Sequence, residues 1–146
     1  MKYFGLPHTD LNVSQIALGC MRISEMQLEE VETLIEKALS LGINFFDHAD
    51  IYGNGKCEEL FGQALAKHPE WQEQMIIQTK CGIVRKQRYD FSKEHILSCV
   101  NESLKRLQDK NGMIFILPQE RSFRKKKSNE ISQEIFIAFS FAYNLQ

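Results

Sequence analysis

Apolar positions along this chain alternate between two periods. Leu28, Val31, Leu34, Ile35, Ala38 and Leu39 recur at three- and four-residue spacing, which predicts one buried helical face. Ser24 opens an S-E-M-Q stretch, a capping-box pattern with Gln27 at the third helical position. Gly42 stands where that helix should stop. A second helix is predicted from Cys57 to Lys67, with Leu60, Phe61, Ala64 and Leu65 on one face. It ends at His68, because the proline that follows disfavours helix in the residue before it. Ser92 begins a third, with Ile96, Leu97, Val100, Leu104 and Leu107 on its inner side.

Between these helices lie short apolar runs with no helical period, at residues 14–20, 43–47 and 75–80. They read as strands. The order strand, helix, strand, helix, strand, helix argues a parallel sheet with right-handed crossovers, hence an α/β fold. A fourth strand is expected at residues 113–117. Beyond it the rhythm stops: residues 109–146 are rich in Lys, Ile, Phe, Ser and Asn, and R-S-F-R-K-K-K interrupts any amphipathic pattern. The chain therefore divides into residues 1–108, which carry the regular pattern, and a divergent tail, 109–146, expected to be frame-shifted or disordered.

Bulk properties narrow the function classes. At 146 residues, with 43% hydrophobic and 25% charged side chains, the chain fits one soluble domain of common size. A net charge of -1 gives no pull toward nucleic acid or an anionic membrane. The longest apolar candidate, residues 135–143, is far short of the roughly 20 residues that span a bilayer. Residues 1–10 lack the long apolar core of a secretory signal, and the four cysteines show neither a C-x-x-C pair nor zinc-like spacing. Reduced thiols in a cytoplasmic protein are expected.

The chemistry concentrates at strand ends. Asp47 closes one predicted strand, Lys80 closes the next, and Tyr52 lies in the loop between strand and helix. In a (β/α) barrel this carboxyl-end face carries the active site. Strand alternation sends Asp47 to one side of its strand and His48 to the other, which argues against a metal site built on D-H-A-D with Cys57. As a unit the three make an acid: a phenol ordinarily titrates near 10, a neighbouring lysine cation favours its ionised form, and a carboxylate holds the lysine. Such a phenol can protonate an oxygen that gains negative charge, as in carbonyl reduction. Read blandly, the same residues are ordinary loop and strand-end groups. The basic run from Arg121 to Lys127 reads as a solvated charge cluster, and G-N-G at residues 53–55 as a turn before a helix.

The stretch G-I-N-F-F-D-H-A-D-I-Y-G-N-G-K-C-E-E-L-F-G-Q-A-L at residues 42–65 closely resembles the aldo-keto reductases, in the bacterial branch that reads D-H-A-D-I-Y-G. Supporting matches are V-S-Q-I-A-L-G-C-M-R at 13–22, M-I-I-Q-T-K-C-G at 75–82 and S-K-E-H-I-L-S-C-V-N-E-S-L-K-R-L-Q at 92–108. The resemblance covers residues 1–108. It implies a partial (β/α)8 TIM barrel of three to four β/α units, NADP as cofactor and a small carbonyl substrate. It also implies roles: Tyr52 as proton donor, Lys80 and Asp47 as its tuning pair, and Asp47 as a contact to the nicotinamide ribose. Gly19, Cys20, Met21 and Arg22 match the loop that lies along the cofactor.

Two departures bear on activity. The family places a catalytic histidine at the end of its fourth strand, where this chain reads I-F-I-L-P-Q-E at residues 114–120 with no histidine beyond His95. The family's phosphate-binding residues, in the last third of the barrel, have no counterpart. A whole barrel needs about 250 residues, so the expectation is a truncated reductase, inactive alone, that self-associates through its open edge and uncovered apolar face. The alternative is a non-catalytic remnant or interaction module.

Overall fold

The structure, a computed structural model, describes residues 1–7, 9–84 and 88–108 in full, together with the backbone of residues 114–116 and 136–137. The expectation of a disordered or foreign tail therefore falls largely outside the described residues.

The chain opens with an antiparallel hairpin of β1 (Tyr3–Gly5) and β2 (Asn12–Ser14), which the hydrophobic pattern did not announce. Then comes the regular alternation: β3 (Ala17–Gly19), α1 (Leu28–Ser40), β4 (Phe45–Asp47), α2 (Lys56–Lys67) and β5 (Ile76–Lys80). A short ribbon, β6 (Ile83–Val84) with β7 (Arg88–Tyr89), precedes α3 (Lys93–Leu107). The last described pieces are β8 (Ile114–Ile116) and β9 (Phe136–Ile137). The main sheet runs β3-β4-β5-β8-β9. Its first three pairings are parallel, as expected of a barrel wall, whereas β9 joins β8 antiparallel.

The start of α1 differs from expectation. Ser24 lies in a 3-10 turn (Ile23–Glu25), and the α-helix begins later with Gln27 as N-cap. Gln27 and Glu30 form the capping box reciprocally, and the Gln27 N–H donates to Glu30 Oε2 at 2.7 Å. A glutamine can play the serine's part because its side-chain carbonyl also accepts the orphan N–H of the third helical residue. Ser92 does cap α3, accepting from the His95 N–H.

Alternation along the strands assigns two different jobs to the two sheet faces. Phe46, Ile77 and Thr79 point toward the helices and are buried. There they meet Val31, Ile35 and Ala38 of α1, Leu60, Phe61 and Leu65 of α2, and Val100 and Leu107 of α3. Helices α2 and α3 touch so closely that a Cβ on Gly62 would fall 2.0 Å from the Arg106 carbonyl oxygen. On the opposite face, Phe45 and Ile76 pack against Leu6 and Val13 of the hairpin. The expected uncovered apolar face is thus covered at its lower end by the chain's own first residues. Above this plug the face becomes polar.

Candidate active site

That polar zone is Asp47, Gln78 and Lys80. The register pairs Asp47 with Gln78 directly across β4 and β5, with Lys80 two residues further along the same face. Lys80 forms an ion pair with Asp47 through Nζ and Oδ1, and the Gln78 amide donates to the same oxygen. Both charged side chains are about a quarter exposed, 25% for Lys80 and 28% for Asp47. The pair is therefore sheltered without paying the full desolvation cost of burial.

Tyr52 arrives from the loop after β4. The loop is held by backbone bonds that continue the ladder past the strand ends: His48 N–H to Gln78 O at 2.7 Å, Asp50 N–H to Lys80 O at 3.0 Å, and Cys20 N–H to Asp47 O at 2.9 Å. The chain then turns sharply through Gly53, Asn54 and Gly55, all left-handed, with φ of 55°, 59° and 87°. A side chain at Gly53 would also meet Ser24 Cβ at 2.6 Å, so this turn needs its glycine. It leaves the Tyr52 ring beneath Lys80, with Nζ 5.4 Å from the ring centroid. The Lys80 contact is with the face of the aromatic ring, a cation–π geometry.

The cofactor-loop residues separate into two groups. Gly19, Met21 and Arg22 are exposed, and a Cβ on Gly19 would meet nothing within 4 Å. Cys20 is fully buried, its thiol directed to the Leu18 carbonyl at 3.5 Å. Burial, then the Asp47 charge, pushes its pKa well above the ordinary thiol range, and its N–H is already taken by the Asp47 carbonyl. Gly19 is the direct partner of Asp47 across β3 and β4, so the open space over Gly19 lies beside the ion pair. All four cysteines are free. Among the described residues, no group of three His, Cys, Asp or Glu side chains is placed to hold a metal ion, and no helix is long and apolar enough to cross a membrane.

Two participants were not singled out from the sequence. Gln78 is one, and strand alternation carried its signal, since it precedes Lys80 by two. Glu58 is the other. Fully buried on α2, it accepts from Thr79 Oγ1 at 2.6 Å, Ser103 Oγ at 3.1 Å and Arg106 Nε at 2.7 Å. This network ties α2 and α3 to the back of β5, one residue from Lys80. His48, as alternation predicted, faces away from Asp47, and its ring stands edge-on to Phe61 at 4.6 Å.

Comparison with known proteins decides the lineage. The profile of the Aldo/keto reductase family matches residues 15–116. The chain belongs to the aldo/keto reductase family. Among its relatives, the oxidoreductase YcsN of Bacillus subtilis is 43% identical over 110 residues, covering 68% of this chain and 37% of that protein. A 6-dehydroglucose reductase of Novosphingobium aromaticivorans is 39% identical over 111 residues, 70% of this chain and 36% of that protein. Among solved structures, the aldo-keto reductase AKR11C1 from Bacillus halodurans in its holo form superposes with a TM-score of 0.67 at 32% identity, covering 80% of this chain and 40% of that one. This aldo/keto reductase chain thus spans well under half the length of those relatives, and its α/β wall is a partial barrel.

Proposed function

We propose that this chain supplies the proton-donating half of an NADPH-dependent carbonyl reductase site, acting on aldehydes or ketones. The observation that carries the reading is the Asp47–Lys80 ion pair closed over the ring of Tyr52. A bound nicotinamide would supply hydride to the carbonyl carbon. The chain's own residues would handle the other end of that bond. Tyr52 would give its phenolic proton to the carbonyl oxygen as negative charge builds there. Lys80 would stabilise the phenolate left behind, and Asp47 would keep Lys80 charged and in place. Gly19, Met21 and Arg22, which are exposed beside the buried Cys20, would line the cofactor edge.

The chain alone is expected to turn over carbonyl substrates very slowly or not at all, because the stretch at 114–120 lacks the family's histidine. The test is to assay aldehyde reduction by the 146-residue chain alone and mixed with the C-terminal half-barrel of a related reductase. Activity should emerge in the mixture, and Tyr52→Phe should lower it by about a hundred- to ten-thousand-fold, the usual span for general acid catalysis. Restored activity indifferent to Tyr52→Phe would remove Tyr52 from its role.

The antiparallel pairing of β9 on β8 favours a second reading, in which the chain is a binding module. A barrel wall would continue there with a parallel strand. In this reading the β3 edge engages a partner, and NADPH produces no saturable change in fluorescence.

A further inference from the structure

We infer that Gln78 is a positioning residue of this site: its side-chain amide fixes the plane of the Asp47 carboxylate, so that Oδ1 is held for Lys80 and the ion pair keeps one geometry. The NADPH-binding arm of its test rests on the reductase reading above; the positioning itself does not.

Geometry carries it. Asp47 and Gln78 are direct partners in the parallel register of β4 and β5, and both side chains leave the same face. Neighbouring strands lie about 4.8 Å apart, so a glutamine amide can reach the aspartate sideways without bending either backbone. Lys80 reaches the same oxygen from two residues on. By itself Lys80 would fix little, because an ammonium is a point charge on a four-carbon stem with three rotatable donors. Asp47 could swing about its side-chain torsions and keep the pair. A planar amide donating to Oδ1 from the neighbouring strand removes that freedom. Among the described residues, both hydrogen bonds to the carboxylate converge on Oδ1.

Residue type points the same way. The positions below on this face are Phe45 and Ile76, packed on the hairpin. An aliphatic residue at 78 would extend that apolar column at no desolvation cost. A half-buried glutamine gives up rotamer freedom and hydration, and its gain here is the bond to Asp47.

Two measurements test this on the chain as it stands. In the first, amide exchange of the Gln78 side chain is followed by NMR against the exposed Gln63. The expected result is at least about tenfold slower exchange for Gln78, lost in Asp47→Leu and retained in Lys80→Met. Exchange as fast as that of Gln63 would overturn the inference. The second is fluorescence titration with NADPH. Gln78→Met should weaken binding about tenfold, and Gln78→Glu should weaken it more, since a second carboxylate would compete for Lys80. A role in packing alone predicts equal, small effects of the two variants, and that outcome overturns the positioning role. If the unaltered chain binds no NADPH, the reductase reading falls, and the exchange measurement alone decides whether Gln78 positions Asp47.

Discussion

Arg106 donates through Nε to Glu58 Oε2 at 2.7 Å, across 48 residues of sequence, and the carboxylate that receives it has no solvent exposure. This bond joins α3 to α2 on the side of the sheet opposite the candidate site. Thr79 and Ser103 complete the coordination of the carboxylate, which is what allows a charge to be buried there.

Removing that carboxylate should be costly. Glu58→Ala would leave a mostly buried guanidinium and two hydroxyls without their acceptor, and a loss of about 3 kcal/mol is expected. Glu58→Gln keeps the shape and one acceptor oxygen and should lose less. Urea denaturation measures both. A loss below about 1 kcal/mol for Glu58→Ala would mean that water replaces the carboxylate.

Acid should weaken the fold through His48. Both ring nitrogens are buried without a hydrogen-bond partner among the described residues. Burial, then the positive charge of Lys80, pushes its pKa down to about 3 from an ordinary 6.5. The unfolded chain therefore binds a proton at this residue that the folded chain refuses. Stability is unaffected by this group above pH 6.5 and falls as pH drops from there toward 3, by up to about 1.4 kcal/mol per pH unit. His48→Phe, beside Phe61, should flatten that slope between pH 6.5 and 5. Equal slopes for the two proteins would contradict the prediction.

Two glycines should behave oppositely. Gly62→Ala drives a Cβ into the Arg106 carbonyl, and backbone cannot rotate away as a side chain can. The helices must part, at a cost of at least about 1–3 kcal/mol. Gly19→Ala meets open space and should change stability by less than about 0.5 kcal/mol. Thermal melts of the two variants distinguish these outcomes.

Association is the fourth expectation. Among the described residues, β3 has β4 as its only sheet neighbour, and an unpaired edge invites pairing with another chain. Sedimentation should show species that grow with concentration. A sharp monomer boundary independent of concentration would refute this.

The pattern of apolar and polar residues was enough to order the β/α units, to end α2 at His68 and to place Asp47 and Lys80 on one face of adjacent strands. Those features follow from local periods of 2 and 3.6 residues and from the chemistry of single positions, so they are written along the chain. The quoted motifs also carried the family. Other features depend on which segments meet. The β1–β2 hairpin covers Phe45 and Ile76 through contacts distant in sequence, and no local period announces it. Ser24 looked like a cap, yet it lies in a 3-10 turn, and the Gln27–Glu30 capping box sets the helix start three residues later. Glu58 reads as one more polar residue near a helix start until Thr79, Ser103 and Arg106 converge on it from two other elements. Gln78 was visible as a polar residue within a strand, but its bond to Asp47 needed the register of β4 against β5. A one-residue slip would have turned it to the helix side. Sequence determines local geometry and residue chemistry; only the tertiary structure decides which distant groups share one hydrogen-bonding distance.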